Sequence, residues 1–426
     1  MVFKEILTKN LQKILFLLGF FSLWLIPGYY RLNLPYLFWG LYLLLVISYF
    51  VLYQPKKKWF VFIKVNSRFF LFALLYFFVV TGVALFHRQL AGMPPAIVYL
   101  SVFLFSAYTA FLGQEDIPRL SESYFKGLWY SSLFTSLYML FEVGMHFFRY
   151  EALNLILFPE FMLRAAGDHT YFNEDYTFFP YLGRPLFRPG GLSWDPGLTT
   201  PALVLVFILV FEGMLEVPWR RTGLALLFVA ILISTSKTAW GGLLAYAVSK
   251  FFWGILDSFP KTMRRWLESA APLAGLVFFF LLGFLLRPGA NSHSAVFHLS
   301  YFSSLYYLSR ATLGEIIFGF GYRRTGSFFH TYVPGTKENP SFSVHSHADV
   351  ESLLTNVFLW GGLAGSLYWI YSYSKAYSKG SRSQKIWLLA LLALAFGYNF
   401  HTLWFLISYH LFLWQVLLSN EKVSQS

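Results

Sequence analysis

The sequence predicts an all-α polytopic membrane protein of about twelve transmembrane helices, and three observations carry that prediction. Hydrophobic residues fill 57% of its 426 positions and charged residues only 12%, whereas a soluble chain carries roughly 25% charged residues. Aromatic residues reach 22%, and Tyr and Trp suit the headgroup depth, where an apolar ring meets a polar tip. The apolar residues are gathered into runs approaching membrane length, separated by short basic segments.

The runs are taken in chain order. The first five are Ile14–Ile26, Leu34–Tyr53, Phe69–Phe86, Ala96–Gly113 and Gly127–Phe148. The next four are Thr199–Val217, Thr222–Ser234, Thr238–Ile255 and Ala271–Leu286. The last three are Ser352–Tyr373, Ile386–Phe400 and Leu403–Leu418. Lys4, Lys9 and Lys13 precede the first run and no small-residue cleavage site follows it, so it reads as a retained signal anchor. With the N-terminus inside, about two-thirds of the 33 lysines and arginines fall on the inner side. The clusters Lys56-Lys57-Lys58, Arg220-Arg221, Arg264-Arg265 and Lys375 to Lys385 sit in inner loops. Both termini are therefore expected in the cytoplasm.

The net charge of +13 belongs to these loops. No basic segment is long enough to fold alone, which excludes a nucleic-acid-binding domain. The chain has no cysteine, which excludes disulfides and cysteine-based metal sites. Residues 1–426 read as a single transmembrane domain with two long outer loops, 149–198 and 287–351. Loops of that length, containing Trp, Tyr and Phe, are functional rather than mere connections. The stretch His298–Leu313 in the second mixes aromatic residues and leucine with serine, the pattern of a short amphipathic helix on the outer leaflet.

Three motifs stand out in or between these segments. Arg188-Pro189-Gly190-Gly191 and Trp194-Asp195-Pro196-Gly197 form a turn that leads into a membrane helix, with Pro196 suited to its first position. Arg188 is either an interfacial anchor or a bidentate clamp for phosphate or carboxylate. Ser234-Thr235-Ser236-Lys237-Thr238 is a polar break between two apolar runs on the outer side. Lys237 there is either a residue of a solvent-exposed turn or a point charge for phosphate. The third motif, His345-Ser346-His347-Ala348-Asp349-Val350-Glu351, precedes a helix carrying Gly361-Gly362-Leu363-Ala364-Gly365. Its histidines are two apart, which is weak spacing for a metal site. His347 and Glu351, four apart, share a face if the helix begins that early, as a base oriented by a carboxylate would require. The alternative is hydrated loop chemistry with Asp349 capping the helix. Gly319-Phe320-Gly321 is too common a pattern to identify a phosphate loop.

In this order the motifs resemble those of the O-antigen ligase/O-antigen polymerase superfamily of bacterial membrane glycosyltransferases. Arg188, Gly191 and Pro196 match its arginine-glycine-proline segment. Ser234, Ser236, Lys237 and Thr238 match its mid-chain polar break, and Gly362 with Gly365 its Gly-x-x-Gly turn. The likeness covers most of residues 180–366. Lys237 stands where the family usually has arginine. The family histidine would fall at Val350 or Glu351, with His345 and His347 further upstream.

The resemblance implies transfer of glycan from an undecaprenyl-diphosphate carrier to an acceptor hydroxyl, on a lipid A-core in a ligase or on a lipid-linked glycan in a polymerase. Arg188 and Lys237 would bind the donor diphosphate. His347, Glu351 or His345 would handle the acceptor proton. The setting implied is the periplasmic face of the bacterial inner membrane, without a cofactor. The first outer loop, Pro27 to Asn33, has no carboxylate, so no metal is expected. The competing expectation is a twelve-helix transporter or flippase of lipid-linked oligosaccharide, which would more often show two similar halves and charges within spans.

Overall fold

The structure is a computed structural model that describes residues 2–24, 34–53, 56–86, 93–112, 117–147, 189, 191, 196–234, 236–285, 308–321, 328, 331–332, 352–397 and 403–419. Every regular element among them is helical. The helices are α1 (Val2–Phe20), α2 (Leu34–Tyr53), α3 (Lys56–Val65), α4 (Ser67–Phe86), α5 (Met93–Leu112), α6 (Ile117–Phe147) and α7 (Pro196–Phe211). There follow α8 (Arg220–Ile233), α9 (Lys237–Leu256), α10 (Lys261–Leu285), α11 (Leu313–Phe318), α12 (Leu353–Lys379), α13 (Arg382–Gly397) and α14 (Leu403–Ser419).

Each of the twelve apolar runs overlaps a helix, but crossing a membrane demands more than helicity. Among the described residues two helices are long and apolar enough, Thr238–Leu256 and Leu353–Lys379. A third would be the pair Lys58–Val65 and Ser67–Val83 if it forms one span, bent by 79°. The bend falls at Asn66, whose side-chain amide and backbone N–H both donate to the Phe62 carbonyl, while its own carbonyl accepts from Phe69 and Phe70. Phe38–Ser48, Ile97–Phe111, Thr199–Phe211 and Trp404–Leu418 are shorter apolar helices. Outward-facing apolar side chains such as Phe60, Leu71 and Phe78 are each more than 60% exposed, a surface that suits an apolar solvent.

Two boundaries differ from the sequence expectation. Helix α1 begins at Val2 and ends at Phe20, so Lys4, Lys9 and Lys13 lie within it rather than ahead of it. The described end of His298–Leu313 is not one continuous helix. A 3-10 turn over Leu308–Arg310 stops before Thr312, whose extended backbone starts α11 with a capping box to Glu315.

The chain forms two compact units. The first comprises residues 1–53, 115–246 and 402–408. Within it α1 and α6 cross at Gly19 and Gly127, where a Cβ on either would collide with the other helix's backbone at Tyr124 or Phe16. Small residues allow such close approach where burial from water is not the driving force. The second unit comprises residues 54–114, 247–401 and 409–426. At its α9–α10 corner Arg264 bridges Asp257 and Glu268 at 2.9 Å each. Lys385 reaches Glu268 at 3.0 Å and Arg382 reaches Asp257 at 2.9 Å, both from the start of α13 or just inside it.

Candidate functional site

The first motif is organised in the first unit by helix α6. Thr135, Met139 and Glu142 fall on one stripe of that helix by their spacing of four and three. Gly191 lies against all three. Its backbone has φ +70°, and a Cβ there would stand 2.7 Å from the Thr135 methyl and 3.3 Å from Met139 Cγ and Thr199 Cγ2. Glycine is required twice over, by conformation and by space. The buried Gly191 N–H donates to Glu142 Oε2 at 2.9 Å, and the Glu142 side chain is itself buried. Pro189 is buried as well. Pro196 opens α7 at the first helical position, where its missing N–H costs nothing. Thr199 and Thr200, three and four residues on, are fully buried. Arg188 lies outside the described residues.

The second motif forms the expected break between α8 and α9. Ser234 caps the end of α8, and its hydroxyl donates to the Ile231 carbonyl at 2.6 Å. The Ser236 N–H donates to Ser234 Oγ at 3.2 Å, and Ser236 Oγ accepts from the Ala239 N–H at 3.4 Å. The Trp240 indole N–H donates to the same Ile231 carbonyl at 3.2 Å. Both serines are buried and serve the backbone, as N-cap and turn hydroxyls do. Lys237 is the first residue of α9. A cation at a helix N-terminus opposes the helix dipole, and a bound anion there would reverse that penalty.

The third motif lies in the second unit. His345, His347 and Glu351 are outside the described residues; α12, which follows them, starts at Leu353 with Ser352 as its N-cap. The glycines downstream have a definite task. At Gly362 helix α12 is interrupted, with φ +59° and ψ −158°. The Gly319-Phe320-Gly321 segment after α11 docks into the break. The Phe320 N–H donates to the Leu359 carbonyl at 2.7 Å, and the Gly321 N–H to the Trp360 carbonyl at 3.0 Å. Backbone groups freed by a broken helix must find partners inside the protein when no water is at hand. Gly365, one turn on, faces the Tyr76 ring, which a Cβ would meet at 3.1 Å. The strap is anchored upstream by Glu315, which accepts from the Tyr332 hydroxyl at 2.7 Å. Burial, and then the Glu315 carboxylate, push the Tyr332 hydroxyl up to about 12.

Beside Tyr76 the structure brings together groups that the sequence did not mark as a site. His410 Nε2 and the Tyr368 hydroxyl are 2.5 Å apart, and both side chains are buried. They border a cavity of about 20 Å³, room for about one water, lined also by Tyr99, Phe103 and Trp369. The available signal was His410 itself, an ionisable residue inside an apolar run. Among the described residues no three metal-ligating side chains cluster. The chain matches no protein-family model and no curated protein.

Proposed function

We propose that the chain is a twelve-span inner-membrane glycosyltransferase, with both termini cytoplasmic. It moves glycan from an undecaprenyl-diphosphate carrier to an acceptor hydroxyl on a lipid A-core or a lipid-linked glycan. The acceptor oxygen attacks the anomeric carbon as the bond to the diphosphate oxygen breaks. The electron pair stays on undecaprenyl diphosphate, and the acceptor proton passes to His347, Glu351 or His345. Arg188 and Lys237 hold the charge that develops on the leaving diphosphate, the largest single electrostatic demand of such a step. No cofactor or metal ion takes part.

The observation that carries this reading is the pair of specified breaks in the first unit. One is the buried Gly191 turn, three residues after Arg188 in the sequence, clamped to Glu142. The other is the serine-capped start of α9, with Lys237 at its first position. In the sequence Arg188 precedes α7 and Lys237 opens α9, positions that suit meeting a phosphate at headgroup depth. Deletion of the gene followed by surface-glycan gel analysis tests the reading. Loss of all capped core indicates a ligase, a single capped repeat indicates a polymerase, and an unchanged glycan ladder rejects both. Single-cysteine labelling tests the spans in this cysteine-free chain: a probe outside intact cells must not reach position 379.

A second reading, a transporter or flippase of lipid-linked oligosaccharide, draws on the interruption of α12 at Gly362 and on the buried His410. Broken helices at membrane depth are a transporter device. In a deletion strain that reading predicts carrier-linked glycan trapped on the inner leaflet. The transferase reading predicts its accumulation on the outer one.

A further inference from the structure

The groups around His410 belong to none of the motifs that stand out in the sequence, and the proposed transfer uses none of them. We propose that His410 is a proton-binding site buried in the second unit, and that taking up the proton unlatches helix α12 below its break. The site stands whether the chain transfers or transports glycan.

His410 lies in α14 and Tyr368 in α12, 2% and 3% exposed. Nε2 of the one and the hydroxyl oxygen of the other, 2.5 Å apart, tie the two helices together at the wall of the cavity. In the closed form the Tyr368 hydroxyl donates to a neutral imidazole. A proton arriving from solvent takes the lone pair on Nε2, and an imidazolium ring donates from both nitrogens. The Nε2–H then donates to the tyrosine oxygen, so the hydrogen of that hydroxyl has to find a new acceptor. A water in the adjoining space of about 20 Å³ is the acceptor within reach.

The surroundings do not answer the charge. The titratable groups that face the ring among the described residues are all tyrosines: Tyr76 of α4, Tyr99 of α5, Tyr368 of α12 and Tyr409 beside it in α14. No carboxylate, lysine or arginine lines the cavity among those residues. The Phe103 and Tyr409 rings stand 5.9 and 5.4 Å from the imidazole, centre to centre. Aromatic faces attract a cation but do not replace its hydration. The protonated ring therefore needs water, which enters as the packed helices part.

Opening reaches the break through Tyr76. Its ring lines the cavity and also lies against Gly361 and Gly365, where a Cβ would meet it at 3.4 and 3.1 Å. On the same two helices Thr81 and Ser366 are more than nine-tenths buried, with hydroxyls that have no hydrogen-bond partner among the described residues. Entering water finds polar groups to settle on there. A buried ionisable side chain near a broken helix at membrane depth has the setting of a proton site.

The test is amide hydrogen exchange across residues 363–369 of the full-length chain in lipid nanodiscs, read between about pH 5 and 8, where histidine changes charge. Each rate is divided by that of His410→Gln at the same pH, which cancels the chemical pH dependence of exchange. Glutamine keeps a hydrogen-bond partner for Tyr368 but takes up no proton. With the proton held by the opened form, acidification raises the ratio by up to about tenfold per pH unit. Tyr368→Phe, lacking the hydroxyl, should exchange faster than wild type already at about pH 8. A ratio that stays flat across the window overturns the proposal, because the pair is then a fixed structural contact. So does Tyr368→Phe that exchanges like wild type at the alkaline end. Should His410→Gln fail to insert, wild-type rates are divided by those of an unstructured peptide of the same segment, and the same slope decides.

Discussion

Alanine at position 362 would have to place its Cβ 2.5 Å from the carbonyl carbon and oxygen of Ile317 and 2.6 Å from the Gly319 nitrogen. All three are backbone atoms, so relief means displacing the strap after α11 rather than rotating a side chain. The backbone at φ +59° and ψ −158° belongs to a region used almost only by glycine, and forcing another residue there costs about 1–3 kcal/mol. Moving the strap also strains the two hydrogen bonds it makes to the Leu359 and Trp360 carbonyls, at about 0.5–1.5 kcal/mol each. Gly362→Ala should therefore destabilise the chain by roughly 2–6 kcal/mol. Gly365→Ala is milder, because its Cβ would meet the Tyr76 ring, a side chain that can yield. Gly40→Ala is the control: no atom outside its own helix stands within 4 Å, and alanine suits a helix interior by about 0.5–1 kcal/mol. Thermal unfolding of the three purified variants in one detergent ranks them. If Gly362→Ala melts with Gly40→Ala, the strap does not depend on the break and the account of α12 is wrong.

Other outcomes follow from the proposed donor and acceptor sites and from the α9–α10 corner. Arg188→Lys should lower transfer by losing a bidentate contact worth about 1.5–3 kcal/mol per charged hydrogen bond. Lys237→Ala should do likewise and Lys237→Arg should be tolerated; glycan transfer in the deletion strain, with membrane levels checked by blot, reads all three. Replacing His347, Glu351 and His345 singly by Gln or Ala should yield one variant that binds donor yet does not turn over. Full activity in all three removes that segment from the chemistry. Burial opposes ionisation of Glu268, but its bonds from Arg264 and Lys385 prevail and hold its carboxyl below the usual range. Its folded pKa being depressed, its contribution to stability is present above the unfolded value of about 4.3 and is lost as pH falls through the lower folded value. Melting curves should show wild type losing stability in that acid window more steeply than Glu268→Gln.

Helices were legible because apolar runs announce themselves. Leu34–Tyr53, expected from hydropathy, matches α2 residue for residue. Ends were less so: the lysines before Ile14 are compatible with a helix and did not mark its start, so α1 runs back to Val2. The expected first position of Pro196 and the polar break at Ser234 were readable because proline and serine act locally, on the backbone within a few residues. The reason for Gly362 was not. It depends on Gly319 and Ile317, more than forty positions away, and nothing in a Gly-x-Gly pattern says that it will fill a broken helix. Glu142 was hidden in the same way, since its partner Gly191 is 49 positions further along. The pairing of His410 with Tyr368 is likewise long-range.

Transfer by the purified chain tests the central claim most directly. The full-length protein in lipid nanodiscs would be given undecaprenyl-diphosphate-linked glycan and an acceptor, either lipid A-core or a second lipid-linked glycan, in excess chelator. The account predicts glycan-extended acceptor and free undecaprenyl diphosphate in equal amounts, with both lost in Arg188→Ala. Donor left intact by well-folded wild-type protein with either acceptor, or transfer that returns only when a divalent ion is added, would contradict it.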